Sequence, residues 1–268
     1  MSRWTRIRGR QPRVAAAVTL AIGCLFAAPA LAHAAPLTVV TIQFDDGNAD
    51  AFQWIDPLNN HGFPATYYVN SGSIDTAGHL TWAQLTDLSN AHNEIASHTV
   101  DHANIKKLKI ADARRQVCQD RVNLAAHGFQ PESFAYPFGA YNATVETQVV
   151  QYCGDNSART VSGVNDRKVF GETIPPLNAY ATRTPPDPKQ GTTVATIEGY
   201  VTSAEQNGGG WVQLTFHHIC DGCDAYSITA AHMQSLLDWL NTQVTTGAVA
   251  VKTTEQVVGG PYTMPHCC

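Results

Sequence analysis

The chain has 268 residues, 44% of them hydrophobic and 15% charged, and a formal net charge of −5. An acidic balance of this kind makes a poor binder of DNA or anionic lipid. The sequence carries no internal repeat, no low-complexity run and no second long apolar span.

Residues 1–13 hold five arginines and no acid, and an apolar stretch from Val14 to Ala28 leads into "PALAHAAP". A basic start, a short apolar middle and small residues at a cleavage site form the layout of a secretory signal peptide. A membrane-spanning helix needs about 20 apolar residues and a better-defined far end. A lipid-bearing Cys24 in "AIGC" is the lesser alternative. The sequence therefore predicts a leader over 1–34, cleaved near Ala32 to Ala35, and one secreted domain over 35–268 with no membrane attachment. Without the leader, 12 basic residues face 22 acidic ones, a balance of −10. The remaining 234 residues suffice for a full core.

Six cysteines follow the leader: Cys118, Cys153, Cys220, Cys223, Cys267 and Cys268. In an exported chain they are expected as disulfides, in a connectivity that spacing does not choose. "CDGC" at 220–223 has the spacing of a metal knuckle or redox pair. No second such pair completes a zinc site, and no helix opens there for redox chemistry.

In chain order, strand-like runs lie at Leu37 to Phe44, Ala65 to Val69, Ser133 to Ala135, Trp211 to His217 and Ala248 to Val251. Helical patterns fall between them, at 81–91, 110–127, 141–152, 192–206 and 229–245. The last is clearest, with Met233, Leu236, Leu237, Leu240 and Val244 repeating at three and four. Alternation of strands and helices predicts an α/β layout with parallel strands. No glycine-rich dinucleotide turn follows the first strand, which favours a closed or nearly closed barrel over an open sheet. Chemistry in such barrels sits at the C-terminal strand ends.

The first strand ends in "TIQFDDG", 41–47. Asp-Gly is a common turn dipeptide, and a turn alone would account for it. Strand alternation adds more. Val40, Ile42 and Phe44 share one face; Thr41, Gln43 and Asp45 share the other. The late strand repeats the pattern, with Val212, Leu214 and Phe216 apolar and Gln213, Thr215 and His217 polar. Asp45 and His217 then point into the barrel mouth, and Asp46 lies at its rim. In "NEIASHTVDHANI", His98 and His102 stand four apart, which on a helical turn puts both imidazoles on one face. Two imidazoles and one of the two adjacent carboxylates make a first shell for one divalent ion with open positions, zinc before others, while the other carboxylate handles protons. A cation there also relieves the repulsion between Asp45 and Asp46.

"TIQFDDG", "SHTVDH", "FAYPFGAYN" and "LTFHHI", in this order from about Thr38 to Ala250, resemble the polysaccharide deacetylases, the group with the NodB homology domain. The resemblance implies a distorted, partly open (β/α) barrel and metal-dependent removal of acetyl groups from glycans. It implies Asp45 as catalytic base, Asp46, His98 and His102 as metal ligands, His217 as general acid, and a backbone N–H near Phe138 for the oxyanion. His218 is expected to face the helices, packed or at the surface. Tyr136, Pro137, Phe138 and Tyr141 suggest a groove wall for sugar rings, or ordinary loop packing.

Two departures stand out. The family's third motif opens with an arginine that orients the base, and Ala135 occupies that position. The acid-supporting fourth motif has no clear match; "NAYATRTPPDP" fills the region. Arg183, after a short strand "NAYA", is expected to reach Asp45 in the arginine's place. The reading is thus a secreted, monomeric deacetylase of acetylated polysaccharides that does not bind nucleic acid. An acetyl-xylan esterase, a glycan-binding protein without catalysis and, more remotely, a facial-triad iron oxygenase are the other readings.

Overall fold

The computed structural model describes residues 1–2, 38–165 and 168–265. The chain divides at His33/Ala34, and the second unit, Ala34–Cys268, holds every element described below. The expected leader, Met1 and Ser2 aside, lies outside the described residues, as do its cleavage region, Cys24, Leu37, Cys267 and Cys268. Among the described residues no helix is long and apolar enough to cross a membrane.

Strands β1 (Thr38–Phe44), β2 (Ala65–Val69), β3 (Glu94–Ser97), β4 (Ser133–Ala135), β5 (Ser157–Gly163) and β6 (Thr182–Thr184) pair successively and in parallel. Strand β7 (Gly210–Phe216) runs along all of β1, residue against residue from Thr38↔Gly210 to Phe44↔Phe216. After the short β8 (His218–Ile219) and β9 (Ser227–Ile228), which pair with each other, β10 (Val249–Val251) joins the first half of β1. The result is the nearly closed parallel barrel that the alternating pattern predicts.

The barrel has a seam. Among the described residues no strand pairing joins β6 to β7. Glu172 closes the gap: its backbone exchanges hydrogen bonds with Trp211 of β7 at 2.8 and 2.7 Å. Its carboxylate accepts from Arg183 Nε and Nη2 of β6 at 2.8 and 2.7 Å.

Strand alternation sorts the side chains. Val40, Ile42 and Phe44 of β1 and Val212, Leu214 and Phe216 of β7 face outward into the main apolar cluster. Helices Trp82–Asn90, Val194–Gln206 and Ala230–Thr245 cover them. The last buries Met233, Leu236, Leu237 and Leu240 fully, each contributing about 2 kcal/mol, and Thr229 caps its start by accepting from the His232 N–H. Inward-facing positions are polar and paired instead. Gln43 Nε2 donates to Gln213 Oε1 at 2.9 Å, Thr215 Oγ1 donates to Gln43 Oε1 at 3.2 Å, and Trp211 Nε1 donates to Thr41 Oγ1 at 2.8 Å. Such a network tolerates burial because its members satisfy one another. Cys118–Cys153 and Cys220–Cys223 are disulfides. The first ties helix Ile110–Ala126 to the helical stretch ending at Cys153, closing a span of 35 residues and contributing about 4 kcal/mol on a chain-entropy basis.

Three strands of the barrel lie outside the expected set: β3, β5 and β6. "EIAS", "SARTVSG" and "TRT" are short or rich in small polar residues, so neither alternation nor an apolar run marks them.

Candidate active site

The loops after β1, β2, β3 and β7 meet at one end of the barrel. Asp45 closes β1, and its N–H donates to the Phe216 carbonyl of β7 at 2.9 Å. Asp46 and Gly47 follow with φ of 68° and 69°, a left-handed turn that swings the second carboxylate to the rim. The positive φ of Gly47 favours glycine there, and a Cβ would also make a tight contact with Val69 Cγ1 at 3.3 Å.

His98 and His102 do not sit on a helical turn, as the four-residue spacing suggested. They lie in the irregular loop after β3, where Thr99 and His102 take φ of 70° and 53°. Helical spacing and this strained loop bring the imidazoles together alike, with ring centroids 5.0 Å apart. Asp120, wholly buried on helix Ile110–Ala126, holds the loop. One of its oxygens accepts from Ser97 Oγ and the His98 N–H, and the other from the Ser71 N–H. Burial pushes the Asp120 carboxyl up, and these hydrogen bonds pull it back. Asn70 Nδ2 donates to the His98 and Thr99 carbonyls.

The two histidines converge on one atom. Asp46 Oδ1 lies 3.4 Å from His98 Nε2 and 3.3 Å from His102 Nε2, and it is buried with no hydrogen-bond partner. His98 Nδ1 sits 2.8 Å from the Ala135 carbonyl oxygen. A carbonyl only accepts, so Nδ1 carries the proton and a neutral His98 turns its Nε2 lone pair toward Asp46. A lone pair facing a carboxylate calls for a proton or a cation between them. Burial raises the Asp46 carboxyl, but His98 and the charges of His98, His102 and His217 outweigh it, holding it well below the usual carboxylate range. Burial lowers His98, while Asp46 and Asp45 raise it above its ordinary value. Burial, then the neighbouring His98, lowers His102. The three ligand atoms lie within 4.8 Å of one another, a donor set that suits a divalent ion with open positions.

Arg183 is not the partner of Asp45. Its guanidinium is taken by Glu172 at the seam, and "NAYA" is no strand, since Ala179–Ala181 form a 3-10 turn before β6. Arg159 of β5 holds Asp45 instead, with Nη2 donating to Oδ1 at 2.6 Å and Oδ2 at 2.5 Å. Both side chains are almost wholly buried, at 1% and 5% exposure, and Arg159 stays protonated because Asp45 offsets the cost of burying it. Its position explains the departure in the third motif. Ala135 of β4 pairs with Arg159 of β5 in register. The cation beside Asp45 thus comes from the strand next to the one that carries Ala135. The signal was an inward-facing arginine in "SARTVSG", unused because that strand was not expected.

A cleft of about 390 Å³ opens over these groups, lined by Asp45, Asp46, His98, His102, Tyr136, Phe138, Val161, Asp187, His217, His218, Asp224 and Tyr226. His217 Nε2 lies 3.9 Å from Asp45 Oδ2, and its Nδ1 is buried without a partner. His218, expected to face the helices, lines the cleft and hydrogen-bonds Asp50 Oδ2 through Nδ1 at 2.9 Å; the main strand ends at Phe216, so alternation no longer governs it. Asp187, from "NAYATRTPPDP", also reaches the cleft. Burial raises its carboxyl, and Arg159 and His217 pull it down.

The four groove-wall residues divide. Phe138 is 65% exposed and lies 4.5 Å from the His102 ring. Its φ of 61° and that of Gly139, 60°, form the turn that projects it. A Cβ on Gly139 would come within 2.4 Å of Val161. Tyr136 reaches the cleft but is 1% exposed, with its hydroxyl donating to the Tyr180 carbonyl. Pro137 is buried. Tyr141 packs on Tyr136 and donates to Glu146 Oε2. Neither Pro137 nor Tyr141 lines the cleft.

Residues 33–155 match the sequence model of the family described as polysaccharide deacetylase. Over that stretch, 123 of the 268 residues, the chain is similar to the polysaccharide deacetylases. The matched stretch contains Asp45, Asp46, His98 and His102, whereas Arg159, Asp187 and His217 lie beyond it. Over 106 residues the chain is 32% identical to YxkH of Bacillus subtilis (strain 168), whose name is that of a polysaccharide deacetylase; the match covers 38% of each chain. It is 29% identical over 109 residues to an Arthroderma benhamiae protein named for peptidoglycan-N-acetylglucosamine deacetylase, covering 40% of this chain and 25% of that one. The chain thus spans less than two fifths of the length of either curated relative. Among solved structures, the Xyl-CE4 domain of a multidomain xylanase from the hindgut metagenome of Trinervitermes trinervoides shares the fold. Its TM-score is 0.56 at 15% identity, covering 85% of this chain and 94% of that one. The family 4 carbohydrate esterase of Streptomyces lividans gives 0.53 at 16% identity, covering 80% and 91%.

Proposed function

We propose that the chain is an exported, metal-dependent deacetylase that hydrolyses N-acetyl groups of an acetylated polysaccharide. One observation carries the reading: a buried, unpartnered carboxylate oxygen, Asp46 Oδ1, faced at 3.3–3.4 Å by two imidazole nitrogens. In this reading Asp46, His98 and His102 hold one divalent ion, with zinc favoured by two nitrogens and a carboxylate oxygen. When bound there, such an ion acidifies water and polarises a carbonyl oxygen.

The chain's own residues supply the rest. Asp45, fixed by Arg159 through both oxygens, accepts the proton of the attacking water. The Phe138 N–H, in the exposed turn, donates to the developing oxyanion. A sugar amine leaves poorly unless protonated, and His217, bordering the same small volume as Asp45, gives it that proton. Two disulfides accord with export, and the basic, then apolar, N-terminal sequence supports a cleaved leader.

The test is acetate release by the chain lacking residues 1–34 from a panel of N-acetylated and O-acetylated glycans, with and without chelator. The reading requires chelator-sensitive release, faster from N-acetyl substrates. Release indifferent to chelator, or from O-acetyl substrates alone, would overturn it.

A further inference from the structure

We propose that Cys220, Cys223 and Asp50 form a divalent-metal site, apart from Asp46, His98 and His102. It opens when a thiol reduces the Cys220–Cys223 disulfide, and it takes a thiolate-seeking ion such as zinc. The inference is independent of the deacetylase reading.

"CDGC" has the spacing of a metal knuckle, and the sequence offers it no second cysteine pair of that kind. The fold supplies a carboxylate instead. Among the described residues, two sets of three His, Cys, Asp or Glu ligand atoms lie within 4.8 Å of one another. Asp46, His98 and His102 form one, and Asp50, Cys220 and Cys223 form the other. Asp50 stands in the 3-10 turn Ala49–Trp54, just after the Asp45–Asp46 turn. Hydrogen bonds on both sides of Asp50 fix this stretch against the strand end and the cysteine loop. Asn48 Nδ2 donates to the His217 carbonyl at 3.0 Å, and Gln53 Nε2 to the Ile219 carbonyl at 3.4 Å. The two oxygens of Asp50 are unlike. Oδ2 pairs with His218 Nδ1 at 2.9 Å, whereas Oδ1 is buried with no hydrogen-bond partner. A buried carboxylate oxygen without a donor favours a cation beside it, and a hydrogen bond to the other oxygen orients a ligating carboxylate. The Cys223 N–H donates to Cys220 Sγ at 3.3 Å, and a donor on sulfur favours the thiolate once the bond is open. Two thiolates and a carboxylate suit zinc, with a fourth position left to water.

The bond is accessible to a small thiol. Cys223 is exposed, and Cys220 borders a cavity of about 420 Å³ beside Lys189 and His232, whereas Cys118 and Cys153 are wholly buried. Two thiol molecules each give up one electron and one proton as they join in their own disulfide. The Cys220–Cys223 bond takes both electrons and breaks, and each sulfur gains a proton. Binding the ion then releases those two protons.

The test is cobalt binding, with cobalt as a coloured substitute for zinc, to the chain lacking residues 1–34. Cys267→Ser and Cys268→Ser remove the remaining cysteines outside the buried pair. Spectra are taken before and after reduction by a thiol that is then removed without air. Sulfur ligands give cobalt an intense near-ultraviolet absorption, which the nitrogen and oxygen atoms of Asp46, His98 and His102 do not give. The reduced chain should show this band, saturating at one ion per chain, and the oxidised chain should not. Excess zinc should erase it, since zinc binds such ligands more tightly than cobalt. Adding Cys220→Ser and Cys223→Ser should abolish the band, and Asp50→Ala should weaken cobalt binding by about tenfold or more. His98→Ala with His102→Ala should leave the band unchanged. A reduced chain without the band overturns the site, as does a band that zinc does not displace or that survives Cys220→Ser and Cys223→Ser. So does an Asp50→Ala variant that titrates like its parent, or a band lost with His98 and His102.

Discussion

Replacing Arg159 with methionine, an unbranched residue that keeps the buried volume filled, removes the cation that Asp45 faces. The pair is 1% and 5% exposed, and one nitrogen reaches both carboxylate oxygens at 2.5–2.6 Å. Breaking a buried pair by deleting one partner costs about 3–5 kcal/mol, because the other charge stays buried and uncompensated. With a urea slope of about 3 kcal/mol/M, at the upper end for domains this large, the midpoint should fall by about 1–2 M. Arg159→Lys should lose less, since a point charge replaces part of the attraction but not the two-oxygen geometry. Asp45→Asn added to Arg159→Met should recover much of the loss, because the stranded charge is gone. In acetate release, Arg159→Met should fall by about 10²-fold as the proposed base loses its orientation. A midpoint within 0.3 M of the parent (about 1 kcal/mol on the same slope), or a double variant as unstable as the two single losses added, would refute the reasoning.

Three further outcomes follow from the same geometry. Glu94, inside the barrel base, is pushed up by burial and by Glu255 from its ordinary 4.5 to about 7. The folded state therefore binds its proton more tightly than the unfolded chain. The resulting stability is full below about pH 4.5 and is lost as pH rises through about 7, roughly 3 kcal/mol in all; Glu94→Gln should flatten that part of the urea-stability profile, and an unchanged slope would contradict it. Arg183→Ala should lower the unfolding midpoint by loosening the β6–β7 seam while acetate release per folded molecule stays within about twofold; a 10²-fold drop, of the size expected for losing acid–base help, would return Arg183 to the catalytic centre. His217→Ala should slow amide substrates far more than activated aryl esters, whose leaving groups need no proton, and equal losses on both would remove His217 as the acid.

The parts that were legible from sequence are those where one residue's chemistry met a strict period. The alternation in "TIQFDD" and "VQLTFH" put Asp45 and His217 at one mouth, and the helix over Met233 to Leu240 declared itself by its apolar repeat. Asp46, His98 and His102 were legible as a set although the loop carrying the histidines is not helical, because proximity, not secondary structure, was what the spacing encoded. Arg159 was not legible. Its strand has small and polar residues on both sides, and its pairing with Ala135 is a long-range register that no local pattern reports. Arg183 was misread for the same reason: its partner Glu172 is set by the barrel seam, which exists only once β6 and β7 are in place. The cleft wall at Tyr226 lies in a loop shaped by a disulfide and by backbone pairing, and sequence marked only its cysteines.

Acetate release by this chain turns most directly on whether Asp46, His98 and His102 together hold the ion on which it depends. The measurement is metal content and acetate release on the same preparations of the parent and the His98→Ala, His102→Ala double variant, each incubated with excess zinc and freed of unbound ion. The parent should retain one equivalent and release acetate. The double variant should retain close to none and release none, while unfolding at a midpoint near that of metal-free parent. A double variant that keeps a full equivalent of metal, or releases acetate at the parental rate without it, would contradict the account.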